Sequence, residues 1–249
     1  MGAYFEYRGK NSREMHLRVT GINNYASPSK KVLIYDLDGR DGSLIRDTGC
    51  WEDRLVTITV KIMAKSTALF NKYADDLIEW LQADITPSKL VISDNVYVYY
   101  MASCINKLDI SRTLKDLGEA DIIFECKPHK RDVDGDIIID VVKNKNIDII
   151  NPYSYISSPV YEIYGTGKIT LTLNGEGVTF DIPTNYYQEY PLIVDTDLMD
   201  VYKVVDGNTK NFNDCMIGYW EDLLLKGNKN TLKITGCTSA TVTPRWRKI

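Results

Sequence analysis

Short runs of alternating hydrophobic and polar residues dominate the chain. In the clearest run, residues 55–63, Val56, Ile58, Val60 and Ile62 alternate with polar side chains, which is typical of a half-buried strand. Other strand-like runs in the first half are residues 31–35, 90–92, 96–100 and 120–126. We expect a mostly antiparallel sheet that begins at residues 31–35 and reaches the 55–63 strand through an exposed loop.

One segment has helical periodicity instead. Ser66 can cap a helix over about residues 67–83, because a serine side chain can accept a hydrogen bond from a free amide of the first turn. The large apolar residues of this segment recur at spacings of three or four: Leu69, Phe70, Tyr73, Leu77, Trp80 and Leu81. The pattern predicts a helix on one face of the sheet, and therefore an α+β first domain.

The second half contains only strand periodicity. Asn174 and Gly175 separate two alternating runs, the strongest short-range signal for a β-hairpin. The runs are residues 160–164, 168–173, 178–182, 192–195, 231–235 and 240–243. Many short strands without a helix predict a β-sandwich or barrel, and we expect a sandwich. The chain is therefore expected to be mainly β, with domains at residues 1–150 and 151–249 and a hairpin or connecting arm between residues 127 and 151.

Composition narrows the possible functions. The formal net charge is -4 over 249 residues without a dense basic face, so nucleic acid is not an expected partner. No apolar run is long enough to span a bilayer, and the first residues lack the apolar core of a signal peptide, so we expect synthesis in a cytoplasm and no membrane partner. The five cysteines are widely spaced without a CxxC motif, which favours buried free thiols over disulfides or a zinc site.

Two segments resemble ligand-binding loops only in part. Gly165, Gly167 and Lys168 suggest a phosphate loop. That motif requires a glycine at the position of Glu162 and a serine or threonine at the position of Ile169. Both requirements fail, so we interpret the segment as a glycine-bent turn. The acidic run over residues 132–136 resembles the start of a calcium loop. Its sixth and twelfth positions are an isoleucine and a lysine where glycine and glutamate are required, so a solvated turn is the better interpretation.

Residues suited to catalysis do not form a recognisable set. His16 and His129 are the two histidines, and neither has a nucleophile or carboxylate at a known motif spacing. Two acidic pairs could serve acid–base chemistry on a sugar: Asp195 with Asp197, and Glu221 with Asp222. With 34 acidic residues in the chain, a solvated surface is the simpler interpretation. No catalytic, cofactor-binding or metal-binding residue is predicted, and we do not expect an enzyme.

The order of several short motifs resembles that of phage distal tail proteins. The motifs include Gly39-Arg40-Asp41-Gly42, a segment around Trp51, the turn with Gly165 and Gly167, and a final Pro244-Arg245-Trp246-Arg247. Each motif alone is ordinary turn and strand chemistry, so the resemblance depends on their shared order along most of the chain.

The resemblance implies a structural protein of the virion, located at the phage tail tip or baseplate. It implies an N-terminal belt domain that forms a homohexameric ring and a galectin-like C-terminal sandwich that projects outward. The implied partners are the tail tube protein, a tail-tip or hub protein, and receptor-binding or baseplate proteins, with no cofactor. The residues that it assigns to assembly are Gly39, Arg40, Asp41, Gly42, Trp51, Gly165, Gly167, Pro244, Arg245 and Trp246.

The main alternative is a carbohydrate-binding module that contributes directly to host adhesion, because a sandwich fold alone does not determine function. A galectin-type sugar site needs a histidine and an arginine beside a stacking tryptophan. The second half has no histidine, although Trp220 and Trp246 are present. A tail enzyme that degrades cell wall is a third possibility, which would require turnover of peptidoglycan.

Overall fold

The computed structural model describes residues 2–114, 116–184 and 187–249. By the density of contacts between residues, the chain divides into two compact units. The first unit comprises residues 1–130 with Ile249, and the second comprises residues 131–248.

The first unit contains one helix among ten strands, as far as its residues are described. In chain order these elements are β1 (Phe5–Tyr7), β2 (Lys10–Asn11), β3 (Leu17–Asn23), β4 (Lys30–Tyr35), β5 (Leu44–Trp51), β6 (Arg54–Met63), α1 (Thr67–Gln82), β7 (Ser88–Ile92), β8 (Asn95–Ser103), β9 (Ile110–Leu114) and β10 (Leu117–Cys126). The main sheet has the order β2-β1-β7-β8-β10-β6-β3, with β9 also paired to β10. Neighbouring strands are antiparallel, as predicted.

The helix covers one face of this sheet. The Ser66 hydroxyl accepts a hydrogen bond from the Leu69 amide at 3.3 Å, which confirms the predicted cap. The buried face of α1 packs into a core formed with the strands; the Trp80 ring stacks on Phe5 at 5.6 Å, and the Trp80 indole donates to the Tyr7 carbonyl. The predicted α+β arrangement is therefore confirmed.

The prediction that the main sheet begins at residues 31–35 is wrong. Strands β4 and β5 pair only with each other, in a separate two-stranded sheet, and the main sheet begins at β1. The short apolar run identified β4 as a strand, but it carries no information about which strand is its partner.

The second unit is a sandwich of two antiparallel sheets. Its elements are β11 (Lys130–Asp132, at the division between units), a 3₁₀ turn (Val133–Asp136), β12 (Ile139–Val141), β13 (Ile147–Asn151), β14 (Val160–Tyr164), β15 (Gly167–Leu173), β16 (Glu176–Ile182), β17 (Leu192–Asp195), β18 (Asp200–Val205), β19 (Asn208–Asn211), a 3₁₀ turn (Asn213–Cys215), β20 (Met216–Ile217), a 3₁₀ turn (Trp220–Leu223), β21 (Asn228–Thr235), β22 (Ser239–Thr243) and β23 (Arg247–Lys248). The sheet orders are β12-β22-β14-β17-β18-β19 and β13-β21-β15-β16-β20. The inward side chains of both sheets form one core.

The segment before Asn151 belongs to this sandwich. Strand β12 pairs with β22 in one sheet and β13 pairs with β21 in the other, so the segment is not the hairpin or arm that the sequence predicted. The division by contacts accordingly lies at residues 130 and 131, before the boundary that we expected at Asn151.

The described residues include no helix that is both long and apolar enough to cross a membrane.

Candidate assembly surfaces

The β4–β5 hairpin exposes apolar side chains on both of its faces. Ile34 lies opposite Ile45 on one face, and Tyr35 lies opposite Leu44 on the other. Ile34 and Ile45 are 62% and 66% exposed. Isolated two-stranded hairpins are marginally stable in water, and contiguous exposed apolar surface marks interaction sites. The hairpin is therefore a candidate interaction surface.

The tip of the hairpin contains the first predicted assembly motif. Gly39 and Gly42 have φ values of +78° and +77°, a backbone region that favours glycine. Arg40 and Asp41 lie between them and are exposed. The motif therefore forms a tight turn that presents charged side chains, and whether those side chains contact another subunit remains a prediction.

Trp51 lies at the other end of the hairpin, where β5 ends. The Lys30 ammonium lies 5.2 Å from the centre of its ring and 2.6 Å from the Asp47 carboxylate. The tryptophan, half-buried in this setting, is the least exposed residue of β5. It holds together the base of the hairpin.

The C-terminal motif is fixed by a buried ion pair. The two terminal nitrogens of Arg245 donate to the two carboxylate oxygens of Asp195 at 2.8 and 2.9 Å. Asp195 also accepts from the backbone amides of Asp197 and Leu198 at 3.0 and 3.2 Å. Since Asp195 is only 4% exposed, the interpretation of this acid as solvated surface is wrong. It joins the C-terminal segment to the turn that follows β17.

Trp246 belongs to the core of the sandwich. It is 7% exposed, and the backbone of Gly135 packs directly against it, because a Cβ atom at Gly135 would lie 2.2 Å from the Trp246 amide nitrogen. The Ser157 hydroxyl lies within hydrogen-bonding reach of the carbonyls of Pro244 and Arg245. The final motif therefore closes the sandwich, and the Trp246 ring is not available to stack on a sugar.

Gly165 lies in the turn between β14 and β15, and Gly167 is the first residue of β15; both belong to the second unit. A Cβ atom at Gly165 would lie 2.9 Å from the Ile169 Cδ1 atom, and Gly167 has a φ of +73°. Because the turn opens a strand and not a helix, the interpretation as a glycine-bent turn agrees with the structure.

The residues considered for catalysis have structural partners. His16 stacks on Tyr73 with ring centres 4.1 Å apart, and Asp197 pairs with Arg131 at 2.7 Å. Glu221 and Asp222 lie in a 3₁₀ turn beside Trp220, whose ring packs against the core. Within the described ranges, no group of three or more His, Cys, Asp or Glu side chains is arranged to hold a metal ion.

Four of the cysteines are buried free thiols, as expected, but Cys50 is exposed. It lies on β5, which has no core beneath it. Burial raises the pKa of the Cys126 thiol to about 12 and that of Cys104 to about 11, so these groups stay protonated at neutral pH.

Sequence reasoning missed Arg54, the first residue of β6. It is 4% exposed, and its Nε and Nη2 atoms have no hydrogen-bond partner among the described residues. The sequence signal was weak, because an arginine after two acids at a strand start is usually solvated.

Comparisons with known proteins identify the fold. No protein-family model matches the chain, and no curated protein matches its sequence significantly. A solved structure, the Dit protein (gp 19.1) of phage SPP1, described as a paradigm of the hub adsorption apparatus in phages that infect Gram-positive bacteria, matches with a TM-score of 0.74 at 14% identity over 100% of both chains. Chains of the phage P2 baseplate in its activated conformation, with Ca and with Sr, match with TM-scores of 0.55 and 0.54, at 10% identity over 97% of each chain. As the resemblance to distal tail proteins predicts, the chain has the fold of the phage Dit hub protein along its whole length.

Proposed function

We propose that this chain is a structural distal tail protein of a phage virion. Six copies form a ring that joins the tail tube to the tail tip or baseplate, and the second unit is the attachment platform for adhesion components. The observation that carries this proposal is the match to a hub protein over the full length of both chains. A match to one unit alone would leave function open, because single sandwiches serve many functions.

The β4–β5 hairpin supports self-association of the first unit. It carries apolar pairs on both faces, so a partner that covered only one face would leave the other in water. Insertion between two surfaces would bury both faces. A ring suits this requirement, because each subunit then offers one surface to its neighbour and receives a different surface in return.

The turn between β17 and β18 supports a platform in the second unit. Leu198 and Met199 are 67% and 60% exposed at its tip, and Met199 has a φ of +52°. Asp195 fixes the turn through its bonds to two backbone amides and to Arg245. A rigid turn that presents two apolar side chains loses little conformational entropy when a partner binds.

A role in structure and not in catalysis is part of this proposal. The sugar-binding alternative receives no support from the described residues, because Trp246 is buried and Trp220 packs against the core.

The test is to replace the apolar pair on one face of the hairpin. We expect Ile34→Ser with Ile45→Ser to shift the chain from ring to monomer in light scattering, while its circular dichroism and unfolding midpoint stay near those of the wild type. The matched control is Ile150→Ser on β13, an isoleucine that is 70% exposed in the second unit, and its rings should persist. Intact rings from the hairpin variant would refute the role of the hairpin.

A further inference from the structure

Arg54 lies at the base of the hairpin with one edge of its guanidinium group unused. The nitrogens that lack partners are Nε and Nη2, whose N–H groups point in the same direction. This edge is one of the two that bind a carboxylate through two parallel hydrogen bonds. The guanidinium charge of Arg54 is buried, and a buried charge without a partner is destabilising. A hydrogen-bond acceptor at this edge would therefore stabilise the protein.

Polar and aromatic residues of the first unit surround Arg54. Its guanidinium carbon lies 5.8 Å from the ring centre of Tyr100, and the Lys130 ammonium lies 5.7 Å from the same centre. The Tyr100 hydroxyl donates to the Asn24 carbonyl at 3.2 Å. Asn24 is itself buried, and its side-chain oxygen is also without a partner in the described part of the chain.

Within the described ranges, no acid forms a hydrogen bond with the Nε or Nη2 atom of Arg54. Asp53 precedes it but lies 3.9 Å from the Lys127 ammonium. The guanidinium group of Arg54 therefore has an unused donor edge at the base of the hairpin. The tip is complementary, because Asp38 and Asp41 are exposed there with a single cation, Arg40, between them.

We propose that Arg54 binds a carboxylate from a second copy of this chain, contributed by Asp38 or Asp41 at the tip of the neighbour's hairpin. This inference rests on the proposed ring. The contact gives the ring a direction, because the hairpin tip of one subunit meets the hairpin base of the next subunit. Repetition of that contact closes the ring.

Arg54 is 4% exposed in the single chain, so a carboxylate reaches it only after a local rearrangement, which this proposal places in the loop between β3 and β4. Residues 24–29, between β3 and β4, have no regular secondary structure. Loops of this kind open locally at low free-energy cost. Asn24 begins this loop and accepts a hydrogen bond from Tyr100, whose ring lies beside the Arg54 guanidinium, and the adjacent Tyr25 is 82% exposed. Docking of the tip displaces this loop, and the arriving carboxylate accepts hydrogen bonds from the Nε and Nη2 atoms of Arg54.

The experiment uses crossed mixing of full-length variants, measured by analytical ultracentrifugation. Asp38→Asn with Asp41→Asn removes the tip charges but leaves Arg54 intact, and Arg54→Gln does the reverse. We expect each variant alone to associate at least about thirtyfold more weakly than the wild type, because removal of one partner of a buried charge pair has an effect of this size. A mixture of the two should form a dimer, because it restores one complete contact.

Arg54→Gln could fail to fold, so a second arm uses only the tip variant and the wild type. The tip variant can receive a wild-type tip but cannot donate its own, so adding it should terminate wild-type rings and lower their yield. Arg54→Lys, which keeps the charge but lacks two parallel N–H groups on separate nitrogens, should assemble poorly.

The outcomes separate this inference from the proposed function. If the wild type forms rings and the tip variant forms them equally well, the contact between tip and base is wrong and the ring stands. If the wild type stays monomeric, the ring and this inference both fail.

Discussion

Truncation of Asp195 should destabilise the second unit by about 3 kcal/mol. The carboxylate accepts two hydrogen bonds from Arg245 and two from backbone amides. Removal of one member of a buried ion pair costs about 3–5 kcal/mol, because the other charge remains buried without a partner. The Arg245 side chain is 21% exposed and that of Asp195 is 5% exposed, so water can hydrate part of the stranded guanidinium. We therefore expect a value at the lower end.

The assay is urea unfolding of Asp195→Ala followed by tryptophan fluorescence, because Trp246 adjoins Arg245. The matched control is Asp197→Ala, whose carboxylate is 41% exposed beside Arg131 and should cost no more than about 1 kcal/mol. The double variant Asp195→Ala with Arg245→Ala should lose less than the sum of the single variants, because the two residues interact directly. A loss below about 1 kcal/mol for Asp195→Ala would refute the reasoning.

Three further predictions address packing, capping and thiol chemistry. Gly135→Ala should lower the free energy of unfolding by about 2 kcal/mol or more, because the new Cβ atom would lie 2.2 Å from the Trp246 amide nitrogen and overpacking strains a core. Thermal unfolding measures this loss, and an unchanged midpoint would contradict the prediction. Ser66→Ala should cost about 1 kcal/mol through loss of the helix cap, while Ser66→Thr, which keeps the hydroxyl, should cost less in the same assay. At pH 8 a maleimide should label the native chain at Cys50 and leave Cys126 unmodified, because burial raises the pKa of Cys126 to about 12 and keeps it protonated. Mass spectrometry of the digested protein locates the label, and a label on Cys126 would contradict the prediction.

Local order could be predicted from the sequence, because it depends on neighbouring residues. The helix α1 was predicted from its spacing of apolar residues and its Ser66 cap, and the β15–β16 hairpin was predicted from Asn174 and Gly175. Both agree with the structure. Each signal lies within a few residues of the element that it specifies.

Long-range partners could not be predicted in the same way. Asp195 and Arg245 are 50 residues apart, so nothing near either residue shows that they form a buried pair. The apolar run in residues 31–35 predicts a strand but not its partner, and β4 was therefore placed in the wrong sheet. Arg54 has an ordinary sequence context, and its unused edge becomes evident only when the packing around it is known.

The mass and symmetry of the purified wild-type chain test the central claim most directly. Each chain has a mass of 28.4 kDa, and we predict that light scattering gives six times this value and that negative-stain electron microscopy shows closed rings with sixfold symmetry. A chain that remains monomeric at high concentration, or that forms open filaments, would contradict the account.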